Sequence, residues 1–186
     1  MTVVAALWLP IVLSAVLVFV TSSIIHMASP WHKGDYPKMP DEDRVLDALR
    51  PFSLPDGDYM APRPASRDDM RSAAFAEKMT NGPVVMMTVF PSGAMSMSRN
   101  FILWFAYTLV VGALAAYVAG HAVAPGAGAR QVVRFVGITA FIGYAVALWQ
   151  MSIWYRRAWV ITIKATVDGA IYAAVTAAMF VWLWPR

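Results

Sequence analysis

The stretch VVAALWLPIVLSAVLVFVTSSIIHM, residues 3–27, contains no Asp, Glu, Lys or Arg. More than twenty uncharged residues, each rising about 1.5 Å, cross roughly 30 Å of hydrocarbon, so the stretch reads as a transmembrane helix. A cleavable signal peptide calls for a basic residue ahead of a shorter apolar run. Neither is seen here, and the segment is expected to remain as an anchor. Pro10 lies about two turns in and is expected to bend the helix.

The composition agrees with a chain solvated by lipid: 59% of residues are hydrophobic, 14% are charged, and the mean hydropathy is +0.55. Cysteine is absent, which excludes disulfides, thiolate metal sites and cysteine nucleophiles. The net charge of +4 is not a nucleic-acid signature. Residues 29–99 hold nine Lys/Arg against ten Asp/Glu, and the excess comes from Arg130, Arg134, Arg156, Arg157, Lys164 and Arg186 against Asp168 alone. Bases placed beside apolar segments set membrane topology, so no nucleic-acid partner is expected.

Residues 29–99 form one long polar loop region. Asp41, Glu42 and Asp43 followed by Val45, Leu46 and Leu49 predict a short amphipathic helix with carboxylates at its positive end and Pro51 as its stop. A second helix is predicted from Ser66-Arg67-Asp68-Asp69, with an apolar face of Met70, Ala73, Ala74 and Phe75 and an end at Asn81-Gly82. The Pro-rich residues 51–64 between them read as an extended or turning linker. PVVMMTVF, residues 83–90, is too short to span as a helix and suits a strand or an interfacial segment.

Three more spans are expected, at about 100–122, 131–154 and 159–184. Short links, APGAGAR at 124–130 and YRRA at 155–158, make them antiparallel neighbours. The fold class is therefore an all-α membrane protein with four transmembrane helices: helix 1 within 1–28, the polar loop at 29–99, and a three-helix bundle at 100–186 from which the first helix stands apart. Small residues recur at helical spacing and predict helix-packing seams: Gly112, Ala116 and Gly120; Thr139, Gly143 and Ala147; Ala165, Gly169, Ala173 and Ala177. Trp31, Trp104, Trp154, Trp159, Trp182 and Trp184 fall near span ends, as an aromatic belt requires. Lys33, Lys38, Arg99, Arg156 and Arg157 outnumber Arg130, Arg134 and Arg186, which places the large loop in the cytoplasm and both termini outside.

Lys164 and Asp168 are the ionisable pair inside a span, four residues apart on a face that Tyr172 and Thr176 continue. They suit either an internal salt bridge fixing helix register or an ion pathway, and the first is expected. His26 and His121 sit at opposite ends of antiparallel spans and cannot share a metal or haem. His26 and His32 share a side and, with Asp35, Asp41, Glu42 and Asp43, could build a His/carboxylate metal site. Their spacing matches no metal motif, and Pro30 stands between them, so interfacial histidines and no bound metal are expected. Nucleophile-elbow, phosphate-loop, zinc-protease and dinucleotide motifs are missing, so no catalytic residue and no cofactor are expected either.

The first span running into SSIIHM, followed by HKGDYPKMPDEDRVLDALR, GPVVMMTVFPSG and WVITIKATVDGAIYAAVTAAMFVWLWPR, resembles a family of uncharacterised small bacterial inner-membrane proteins with four transmembrane helices. That resemblance implies a multi-pass protein of the bacterial inner membrane and carries no assigned activity. The expected function is an accessory or scaffold protein that binds another membrane protein or a second copy of itself within the lipid bilayer. The alternatives are a small transporter or channel using Lys164 and Asp168, and a metal-dependent membrane enzyme built on His26 and His32.

Overall fold

The computed structural model describes residues 3–93 and 96–185. Its four long apolar helices are Trp8–Ala28, Ser98–Ala122, Ala129–Tyr155 and Trp159–Trp182, each long enough to cross a membrane. The first span is interrupted at Leu7, behind the short helix Val3–Ala6. Pro10 accounts for the position of the break, because its ring clashes with the carbonyl four residues earlier and it has no N–H to bond there. At its other end the span widens into a π turn, Ile24–Ala28, closed by Ser29 N–H donating to Ile24 O at 3.0 Å.

The first span does not stand apart, because it packs directly against the second and the fourth. Residues up to Tyr36 and from Ser96 onward accordingly make one compact unit, and Pro37–Met95 make another. Between spans in lipid the driving force is close packing rather than burial from water, and small residues permit it. A Cβ on Gly112 would lie 3.5 Å from Ile11 O on the first span, and one on Gly143 would lie 3.2 Å from Val111 on the second. The tightest approach is at Gly169, where a Cβ would fall 2.7 Å from that of Ala145.

Ala116, Ala173 and Ala177 are buried, while Gly120 and Ala165 are half-buried. Ala147 is exposed. The third span passes through a 3-10 turn at Val146–Leu148, which rotates the helix and turns Ala147 off the face that Gly143 occupies. Leu7, Ala115, Ala119, Val136 and Phe180 centre one apolar cluster, and Val18, Val111, Ala140, Tyr144 and Tyr172 another.

The polar unit departs from an all-α fold. Its strands β1, Gly57–Ala61, and β2, Val85–Val89, pair antiparallel with Tyr59 opposite Met87. β2 alternates half-buried and exposed residues, the period of a strand. β1 lies in the stretch read as a linker, because Gly-Asp-Tyr-Met-Ala has little strand propensity of its own and is held by its partner. The helix Glu42–Leu49 ends in a 3-10 turn containing Pro51, as expected. The predicted second helix divides into Arg67–Met70 and Ala73–Asn81. Two hydroxyls cap it separately: Ser66 accepts from Asp69 N–H at 3.1 Å and Ser72 from Phe75 N–H at 3.0 Å. Arg186, used in the charge count above, lies outside the described residues.

Candidate metal centre

Ser29 and Pro30 end the first span, since a residue before proline is driven to extended backbone and Ser29 has φ −90° and ψ 157°. Two turns follow at once, with Lys33 N–H donating to Pro30 O at 3.2 Å and Asp35 N–H to His32 O at 3.1 Å. The chain leaving the membrane therefore coils back, and Trp31, His32 and Asp35 meet the first turns of the fourth span. Lys164 and Asp168 meet them from one face of that span.

The contacts define a closed network. Trp31 Nε1–H donates to Asp168 Oδ1 at 3.1 Å, and His32 Nε2 lies 2.9 Å from Asp168 Oδ2. His32 Nδ1 lies 2.7 Å from Asp35 Oδ2, and Lys164 Nζ donates to Asp35 Oδ1 at 2.6 Å and to Trp31 O at 2.7 Å. The Lys164 ammonium also lies 5.4 Å from the centre of the Trp31 ring. His32 turns one ring nitrogen to each carboxylate, and Lys164 sets a positive charge beside Asp35. This matters because the Asp35 and Asp168 side chains are only 6% and 4% exposed, and an unpaired carboxylate at that depth costs several kcal/mol, on the order of 3–5. The hydrogen bonds from His32 and then Lys164 hold the Asp35 carboxyl below the usual carboxylate range.

The expected internal salt bridge between Lys164 and Asp168 is replaced by two separate pairings, Lys164 with Asp35 and Asp168 with His32. The position of Trp31 and His32 also differs from a headgroup-facing exit, since both reach inward to Asp168. Tyr172 and Thr176 are buried further along the same face and stay outside the network. Thr176 donates to Tyr172 O at 2.8 Å, and the Tyr172 ring packs against Trp104 and Tyr144.

His26, in the π turn, stacks on His32 with ring centres 4.2 Å apart. Donor atoms of His26, His32 and Asp168 all lie within 4.8 Å of one another. Two imidazoles and a carboxylate suit zinc, iron or manganese, and three protein ligands leave coordination positions open. Asp35 on the far nitrogen of His32 and Trp31 on the second oxygen of Asp168 orient the ligands from behind, as metal-binding histidines and carboxylates commonly require. His26 and His32 are stacked nearly parallel, at 16°, so joint ligation needs the exposed His26 ring to turn toward Asp168. A pocket of ≈ 170 Å³ opens beside the cluster, with Tyr36, Arg157, Ile161 and Ala165 among its walls.

Asp41, Glu42 and Asp43 belong to the other unit and start a helix there; Glu42 lies 3.6 Å from Lys38 in an exposed pair. Sequence reasoning considered the histidines and the Lys164/Asp168 pair as separate candidates and gave Trp31 and Arg157 no part. One signal was available: the end of the first span and the start of the fourth share a side of the membrane, so all these residues had to lie at one level. Comparison with family models, with curated proteins and with solved structures found no match.

Proposed function

We propose that this chain is a membrane-embedded metal-binding protein in which His26, His32 and Asp168 hold one divalent transition-metal ion at the rim of the helix bundle. The observation that carries this reading is the convergence within 4.8 Å of three donor atoms, from the first span, the turn that follows it and the fourth span, with two of the donor side chains anchored from behind by Asp35 and Trp31. With open positions toward the pocket, such an ion is a Lewis acid able to bind and polarise an oxygen ligand.

The transporter alternative rested on Lys164 and Asp168 acting as a pair, and each now has a partner from the segment after the first span. The accessory or scaffold function expected from the sequence draws on the apolar helices and the polar loop, and the exposed apolar side chains along the spans are what any lipid-facing surface displays. In our reading the site and the large polar region face the cytoplasm, which the bases flanking them support. Placement in a bacterial inner membrane rests on the family resemblance.

The test uses full-length protein in lipid nanodiscs, carrying a purification tag without histidine and stripped with chelator. Cobalt(II) serves as an optical probe for the site. One equivalent is expected to bind with defined visible absorption, and His26→Ala, His32→Ala and Asp168→Asn are each expected to remove it. No stoichiometric binding by the unmodified chain, or binding indifferent to all three substitutions, would refute the proposal.

A further inference from the structure

Arg157 is the cation of the pocket that the metal centre does not use. The third span ends in a left-handed turn at Arg156, with φ 58° and ψ 20°, and Arg157 N–H then donates to Met151 O at 3.1 Å. This folds Arg157 back over the helix end into the pocket wall beside His26, His32 and Asp35. Its Nε is shielded from solvent and has no hydrogen-bond partner, and no ion pair to Arg157 is formed among the described residues. A guanidinium in a pocket wall without an ion-pair partner is half of an oxyanion site, because its terminal N–H groups, rather than the shielded Nε, match the oxygens of phosphate or carboxylate.

Charge decides between those anions. A divalent ion with one carboxylate ligand keeps one positive charge, Arg157 adds a second, and Lys164 and Asp35 cancel. A phosphate monoester carries about −1.5 to −2 at neutral pH and balances that pair, whereas a carboxylate or a phosphodiester supplies only about half as much. The pocket, at ≈ 170 Å³, accommodates such a group with room to spare, since a water occupies about 30 Å³ in the liquid. We infer that the pocket binds a phosphate monoester dianion, with one oxygen on the metal and another on Arg157. This rests on the metal site proposed above. The donor is either a soluble phosphate compound or a lipid with a monoester headgroup, because the pocket opens where the first span leaves the apolar region.

The experiment uses cobalt(II)-loaded full-length protein in phosphatidylcholine nanodiscs, titrated with inorganic phosphate while the cobalt absorption is followed. A saturable spectral change is expected, with sulfate weaker. Arg157→Gln is expected to raise the phosphate Kd about tenfold or more with cobalt stoichiometry retained, and Arg157→Lys to fall between, keeping the charge and losing the fork. Nanodiscs containing phosphatidic acid distinguish the source. A spectral change there without added phosphate, absent in Arg157→Gln, assigns the site to lipid; a change with soluble phosphate alone assigns it to a soluble ligand. If cobalt binds and neither source perturbs it, or if Arg157→Gln matches the unmodified chain, the inference falls and the metal site stands. If cobalt does not bind, both fall.

Discussion

His32 and His121 are the same residue type just beyond or at the end of a span, and each lies against another ring, His26 and Tyr117 respectively, but their polar partners differ in kind. His121 is exposed, and its Nδ1 sits 2.7 Å from Tyr117 O one turn back in its own helix. His32 is held between Asp35, three residues on, and Asp168, far away in sequence, with His26 stacked on its ring. The first arrangement is what any helix end provides for a histidine. The second needs a π turn, a proline stop, two tight turns and the register of another span to coincide. The difference lies in what the fold brings to the imidazole, which a histidine in a sequence does not by itself reveal.

Replacing each histidine breaks the comparison most sharply. His32→Ala leaves Asp168 buried with Trp31 as its remaining partner, and loss of one member of a buried pair costs about 3–5 kcal/mol. His121→Ala removes an exposed bond within one helix and is expected to stay within about 0.5 kcal/mol. Thermal melts in detergent, read alongside cobalt stoichiometry, check this. Equal losses from both substitutions would mean that the network around His32 is no more than a helix end.

The next effect acts through register. Asp168 reaches His32 because the fourth span lies tight against the third at the neighbouring Gly169, where a Cβ would already sit 2.7 Å from that of Ala145. Gly169→Val forces the two spans apart and is expected to cost about 1–3 kcal/mol, the usual penalty for overpacking. Cobalt affinity should fall with it although no ligand has changed. Unaltered stability would show that the irregular backbone at Ala145 yields without cost.

Much of this architecture is legible in the sequence, and the site is only partly so. Four spans follow from apolar length, even with Arg134 in the third and Lys164 and Asp168 in the fourth, and the seam at Gly169 follows from small residues four apart. The disturbance expected at Pro10 takes the form of a break at Leu7, within reach of the proline's clash four residues back. The strand β1 carries too weak a propensity to be seen without its partner β2. At the site, His26, His32, Lys164 and Asp168 stand out by residue type, yet the spacing of 26 and 32 looks unlike a metal motif. Pro30 reads as a break that separates them, whereas the π turn before it and the two turns after it place the two rings face to face. Asp35 is legible as one of four acids near the histidines, and only the turn at 32–35 singles it out by directing it at His32 and Lys164.

Asp35 gives the smallest effect and the one most specific to this end of the molecule. Its carboxyl titrates below the ordinary aspartate value of about 3.9, first through the hydrogen bond with His32 and then through Lys164. A folded-state value below the unfolded one means that the unfolded chain binds the proton more readily, so stability is gained as pH rises. That gain is complete above about pH 4 and disappears as pH falls through the depressed value. Asp35→Asn keeps the shape and part of the hydrogen bonding while removing the charge. The unmodified protein is therefore expected to melt above Asp35→Asn by a constant margin from neutral pH down to about pH 4, and the margin should close in stronger acid. Cobalt affinity measured at neutral pH should drop about tenfold, the usual lower end for loss of a carboxylate behind a ligating histidine. A margin that widened toward acid would place the dominant charge interaction elsewhere. A margin of zero at neutral pH would leave His32 held by Asp168 alone, which would make it more like His121 than the geometry indicates.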